Sequence, residues 1–285
     1  MKSKEGSAWQ PEGGSRFATA LVAIGSVKMG MKRSLLSAAL FTLLFSLLTS
    51  PAAAQVGEHR DEFAVGVSGG IVMSSISFVP TVPQKQLFGK TGGITLRYTT
   101  EKYFNSVCAI VCEVNYAQLG WKEDILNYKD DPVINTVTGE PEEYERRINY
   151  IQVPLLARLG WGRERKGAQF FFQIGPQMGF YLSESTKMNY TPETRNDEMR
   201  VSTVVEQESM PVENKFDYGI TGGIGLEYSI PKAGHIMLEA RYYYGLGNIY
   251  GNTKRDYFAR SNFSNIVIKA SYLFDIVKSK NNKIK

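Results

Sequence analysis

The sequence predicts an all-β fold: an eight-stranded antiparallel transmembrane β-barrel of the outer-membrane type, preceded by a cleavable signal peptide. Three observations carry this reading. Eight segments alternate apolar and polar residues with period two, no apolar run of about 18 residues follows residue 55, and the gaps between segments alternate long and short.

The amino terminus is read first, because it must be set aside. Met31-Lys32-Arg33 precedes a short apolar stretch from Ser34 to Leu48, and Ala52-Ala53-Ala54 follows Ser50-Pro51. A basic start, a short apolar core and a small-residue cleavage site form a secretory signal peptide over 31–54, with 1–30 as an upstream extension. No Cys follows the cleavage site, so no lipid anchor is expected there. The full chain carries 33 basic and 28 acidic residues; residues 1–54 hold six of the former and two of the latter. The remainder is close to neutral, and nucleic-acid binding loses its electrostatic support.

The barrel is expected over 55–276, with a basic periplasmic tail at 277–285. The clearest strand runs from Phe216 to Tyr228. Phe216, Tyr218, Ile220, Ile224, Leu226 and Tyr228 share one face, and Asp217, Gly219, Thr221, Gly223, Gly225 and Glu227 the other. Ile236 to Leu246 and Asn262 to Phe274 repeat the split, and similar strands are read near 62–73, 91–100, 107–119, 147–160 and 168–182. Gaps at 101–106, 161–167 and 229–234 are short; those at 74–90, 120–146, 183–214 and 247–261 are long. Outer-membrane barrels have short periplasmic turns and longer outer loops. An even strand count then leaves both termini periplasmic.

Alternation alone does not say which face is outside. A soluble eight-stranded barrel of the lipocalin kind would hold its large apolar side chains inside, around a ligand. Here the polar face is rich in small residues (Gly66, Ser68, Gly70, Gly93, Gly175, Gly179), which suit a narrow, filled lumen. Tyr98, Tyr116, Tyr228 and Tyr244 suit the aromatic girdles of a membrane barrel, which is the reading favoured. Pro154 and Pro176 fall inside predicted strands and are read as bulges.

Inward-facing ionisable residues are expected to be Arg97, Arg158, Arg241 and Lys269 against Glu113, Asp217, Glu227 and Glu239. Four of each sign is the balance that a water-poor lumen requires, so the set is read as a structural charge network. His59 is placed before the first strand and His235 at the periplasmic rim, with no catalytic constellation around either. Paired carboxylates at Asp130-Asp131 and Glu142-Glu143 are read as solvated loop surface. The fourth long loop is basic, with Lys254, Arg255 and Arg260. Cys108 and Cys112 lie roughly 13 Å apart on the lipid face, too far to bridge. No Cys/His cluster offers metal ligands, so no metal, cofactor or catalytic residue is expected.

The segments Asn149-Tyr150-Ile151-Gln152-Val153-Pro154-Leu155-Leu156, Gly175-Pro176-Gln177-Met178-Gly179-Phe180 and Asn214-Lys215-Phe216-Asp217-Tyr218-Gly219 resemble motifs of the PorT family of outer-membrane barrels. So do Arg241-Tyr242-Tyr243-Tyr244-Gly245-Leu246, Asp256-Tyr257-Phe258-Ala259-Arg260-Ser261 and Ser271-Tyr272-Leu273-Phe274-Asp275-Ile276. The resemblance covers about 148–276 well and 61–117 loosely, and the tail after Ile276 departs from it. It implies a non-enzymatic accessory role in the type IX secretion system, which exports large folded cargo including proteinases. Its partners would be outer-membrane lipid and other secretion-system components. Asp256, Tyr257, Phe258 and Arg260 are then candidate partner contacts outside, and Lys278–Lys285 inside. The alternative is a stand-alone surface barrel with adhesive or ligand-binding acidic loops. Oligomeric state is left open.

Overall fold

The structure, a computed structural model, describes residues 58–163, 166–251 and 256–277. The expected extension 1–30, signal peptide 31–54, loop residues Lys254 and Arg255 and tail residues 278–285 lie outside the described residues. Nine strands form one antiparallel sheet: β1 (Glu58–Val79), β2 (Gln84–Lys85), β3 (Leu87–Tyr103), β4 (Ser106–Glu123), β5 (Tyr144–Gly162), β6 (Gly167–Met188), β7 (Phe216–Ile230), β8 (Gly234–Gly245) and β9 (Arg260–Val277). One short helix, α1 (Glu206–Ser209), lies between β6 and β7.

Eight of these strands close into a barrel. Each pairs with its neighbour in chain order from β3 to β9, and β1 pairs with both β3 and β9. Closure pairs Val65 with Phe274 and Ser74 with Asn265, so the sheet keeps no free edge along the seam. The two-residue β2 is an addition to the expected eight; it pairs with the far end of β4, Gln84 opposite Glu123. The strands also run further than expected, and β1 reaches Val79 where the alternation suggested an end at 73. Crossing lipid takes only about 9–11 residues, but ladder pairing continues into the long-loop end.

The two faces sort as the alternation predicts. On β7, Ile220, Ile224 and Leu226 are exposed while Asp217, Thr221 and Glu227 are buried. Outward aromatics form two belts. Trp161, Phe170, Tyr228 and Phe274 lie toward the short-turn end; Tyr116, Phe180, Phe216 and Tyr244 lie toward the long-loop end. Aliphatic side chains such as Ile94, Ile110, Ile174, Leu238 and Ile268 fill the band between them, the arrangement of a lipid-facing barrel surface.

The prolines correct the expectation of bulges. The β5–β6 register is the same on either side of the gap, from Pro154 opposite Gln177 to Ala157 opposite Ile174, and β6–β7 runs unbroken through Pro176. Each proline interrupts one ladder on the side where its N–H is missing, at no cost in register. His59 is likewise corrected: it lies within β1, opposite Glu101, and faces Asp61 at 3.1 Å.

Cys108 and Cys112 are free thiols beside the exposed Ile110 and Val114. In Cys108→Ala protein held in lipid, Cys112 is expected to resist a charged aromatic disulfide reagent and to react fully only after denaturation. Full reaction in the folded state would place that face in water.

Candidate functional site

Alternation sends every second side chain of eight strands into a bore that eight strands leave narrow. From the short-turn end upward the bore is filled in layers. Glu227 on β7 accepts two hydrogen bonds from Arg97 on β3, at 2.7 and 2.8 Å, and pairs with Arg158 on β5. The Arg158 guanidinium stacks 3.7 Å above the Phe171 ring, so its flat face is covered as well as its edge. Ala64, Phe171, Met237 and Leu273 form a small apolar layer there.

A second cluster lies one layer up. Glu113 on β4 accepts from Arg241 at 2.6 and 2.8 Å, from Lys269 at 2.6 Å and from Asn115 at 2.8 Å. Glu239 accepts from Arg241 at 3.0 Å and from Gln173 at 2.7 Å, and lies 3.1 Å from Lys269. Two carboxylates and two cations, all buried, neutralise one another across three strands.

Seven of the eight expected network residues therefore meet in these two clusters. Asp217 does not. It lies nearer the long-loop end and accepts a 2.6 Å hydrogen bond from the Tyr243 hydroxyl, so its partner is a phenol rather than a cation. Tyr150, Tyr243 and Phe263 share that layer, with Tyr150 and Phe263 ring centroids 5.5 Å apart.

The sequence reading missed His235 and Asp275 as members of the lower cluster. His235 Nδ1 lies 2.6 Å from Glu227 and 2.9 Å from the Ser229 hydroxyl, and Nε2 lies 2.9 Å from Asp275. Ser229, His235 and Asp275 thus follow the hydrogen-bond order of a hydrolytic triad. Yet a carboxylate faces each ring nitrogen. The Nδ1 that would accept the Ser229 proton in a triad is thus shared with the Glu227 carboxylate. Only knowledge that β7, β8 and β9 are adjacent would have revealed this group.

Above the lumen the long loops fold over the bore. Phe78, Trp121, Tyr144, Tyr250 and Phe258 pack in one aromatic cluster, with Phe78 and Phe258 centroids 5.0 Å apart and Phe78 and Trp121 5.3 Å apart. This corrects the place given to Phe258, which is fully buried in the cap and presents nothing to a partner. Tyr257 and Arg260 are exposed, and Asp256 is half-buried beside Gly251.

Glu142 is corrected too. Rather than lying on solvated surface, it is buried beneath loop 189–215, where Arg200 donates to it at 2.7 and 3.0 Å. Arg200 also bonds Glu208 at 2.9 Å and lies over the Tyr190 ring. Burial alone would lower the Arg200 guanidinium, but its contacts with Tyr190, Glu208 and Glu142 hold it above its usual range. Arg200→Ala leaves Glu142 buried without its cation, and a loss of about 3 kcal/mol of local stability is expected. Limited trypsin digestion in lipid checks this: loops 124–143 and 189–215 should be cut far faster while the barrel survives intact.

The description "Outer membrane protein beta-barrel domain" belongs to a family whose sequence pattern matches residues 53–251. The chain belongs to this outer-membrane β-barrel family. Its members' place is the bacterial outer membrane, where the two aromatic belts described above meet the lipid–water interfaces. No curated protein sequence matches the chain. Among solved structures, Neisserial surface protein A is 11% identical with a TM-score of 0.36, covering 74% of this chain and 95% of its own. OprG from Pseudomonas aeruginosa is 13% identical with a TM-score of 0.36, covering 76% and 98%. Ail, the attachment invasion locus protein of Yersinia pestis, is 12% identical with a TM-score of 0.30, covering 75% and 99%.

Proposed function

We propose that this family member is a non-enzymatic barrel that serves type IX secretion as an accessory component and not as the conduit. In this reading the long-loop end faces outside and both ends of the barrel chain face the periplasm. The observation that carries it is the filled bore. Two charge clusters, the Tyr150–Tyr243–Phe263 layer and the aromatic cap occupy the axis in succession. Exported folded proteins need a bore many times wider, so support of the machine must run through rims and loops. The resemblance of the 241–246, 256–261 and 271–276 segments to the PorT family is what supports type IX secretion as that machine.

Deleting the gene in its native host tests this. Secreted proteinase activity should fall and cargo should collect in the periplasm, with affinity purification of the restored protein from native membranes bringing secretion-system components. Normal secretion in the deletion strain would overturn the proposal. The folded loop cap favours a second reading, a stand-alone surface barrel that binds through its loops; purification without secretion partners would support that one.

A further inference from the structure

The loop cap encloses a pocket that neither charge cluster nor the export role uses. It lies beyond the lipid-facing band: on β4 the outward aromatic Tyr116 is followed by outward Gln118 and Lys122, and the pocket begins at Glu123. Its volume is about 190 Å³, below that of drug-sized sites and room for one small molecule. Val82, Pro83, Ile125, Leu126 and Val204 supply a largely apolar wall from three separate parts of the chain.

Of the three carboxylates that line the pocket, Glu123 is the buried one. Glu123 is 7% exposed, and its Oε1 accepts from Gln207 at 3.0 Å and from Trp121 at 3.4 Å. Its other oxygen has no hydrogen-bond partner among the described residues. The cation that lines the pocket, Arg200, is committed to Glu142 and Glu208, and Asp124 is paired with Lys85 at 2.7 Å. Asp130 adds a further carboxylate at the mouth. The cavity thus combines an apolar wall, an under-satisfied buried carboxyl and a surplus of negative charge.

We propose that this pocket binds a small apolar amine, its hydrocarbon or aromatic body against the Val82, Ile125 and Val204 wall and its ammonium donating to Glu123. Such a ligand donates to the Glu123 oxygen that neither Gln207 nor Trp121 reaches and adds positive charge to that of Arg200, which is hydrogen-bonded to Glu142 and Glu208. Burial pushes the Glu123 carboxyl up to about 7 and Glu208 reinforces that rise, against the hydrogen bonds from Gln207 and Trp121 and the charge of Arg200; a bound ammonium would draw it back down. The inference is independent of the export reading, since it concerns what the outer cap holds and not what the barrel assists.

Trp121 reports on the site because its indole donates to Glu123. The chain has three tryptophans, so Trp9→Phe with Trp161→Phe leaves Trp121 alone. This protein, in lipid nanodiscs at pH 7, is titrated with phenethylamine and separately with phenylacetate. The expected result is a saturable change in Trp121 emission with phenethylamine and at least tenfold weaker response to phenylacetate. E123Q, which keeps the size of the side chain, should weaken phenethylamine binding at least tenfold. Val204→Phe, which fills the wall, should do the same. Each variant is first shown to keep the heat-dependent gel shift of a folded barrel. No saturable response, equal response to both probes, or unchanged binding in folded E123Q would each overturn the proposal.

Discussion

Glu113→Ala is expected to destabilise the barrel by about 3–5 kcal/mol, more than any single change on its lipid face. Glu113 is wholly buried and satisfies both Arg241 and Lys269; without it, two cations share Glu239. The cost is the unpaired charge left behind, not the worth of the bond itself. Pairing the change with its partner makes this testable. Glu113→Met with Lys269→Met leaves Arg241 facing Glu239 one to one, and should recover at least half of the loss. Urea unfolding in lipid, followed by the gel shift between folded and unfolded forms, measures both. Equal instability in the single and double variants would mean that shape, and not charge balance, governs that layer.

The second large effect is expected at the seam. Gly66 and Gly70 on β1 face inward against β9, where a Cβ would meet the Tyr272 carbonyl oxygen at 2.1 Å and the Ile268 carbonyl oxygen at 2.2 Å. Both obstacles are backbone and cannot turn aside. Gly66→Val should therefore prevent proper closure of β1 on β9, at a cost of about 3 kcal/mol or more. Gly69 is the internal control. It faces outward, its Cβ would find no atom nearer than 4.0 Å, and Gly69→Ala should be neutral or slightly stabilising. Refolding yield into lipid vesicles distinguishes them: Gly66→Val should fall well below wild type while Gly69→Ala matches it.

These two cases show what a one-dimensional pattern can and cannot carry. Period-two alternation placed Glu113, Glu227, Glu239, Arg97, Arg158, Arg241 and Lys269 inside, because pleating alone decides which face a residue takes. It paired none of them, since pairing depends on which strands are neighbours and how they are staggered. Asp217 has the same inward periodicity but lies in a different layer, where Tyr243 meets it. His235 and Asp275 were hidden for the same reason. Local composition also misled in the loops: Glu142 looks like surface charge until Arg200, 58 positions away, is folded onto it. Phe258 reads as an exposed aromatic in a polar loop until Phe78 and Tyr250 enclose it. Loop packing has no period to read, so the cap and its pocket could come only from the folded chain.

The central claim is that bulky apolar side chains meet lipid while the balanced charges fill a closed bore. A photoactivated carbene probe confined to the bilayer interior, followed by peptide mass spectrometry, tests it most directly. The account predicts label on Ile220, Ile224, Leu226 and Leu238, with Glu113, Glu227, Glu239 and Arg241 untouched. Label on the charged set, with the aliphatic set spared, would contradict it.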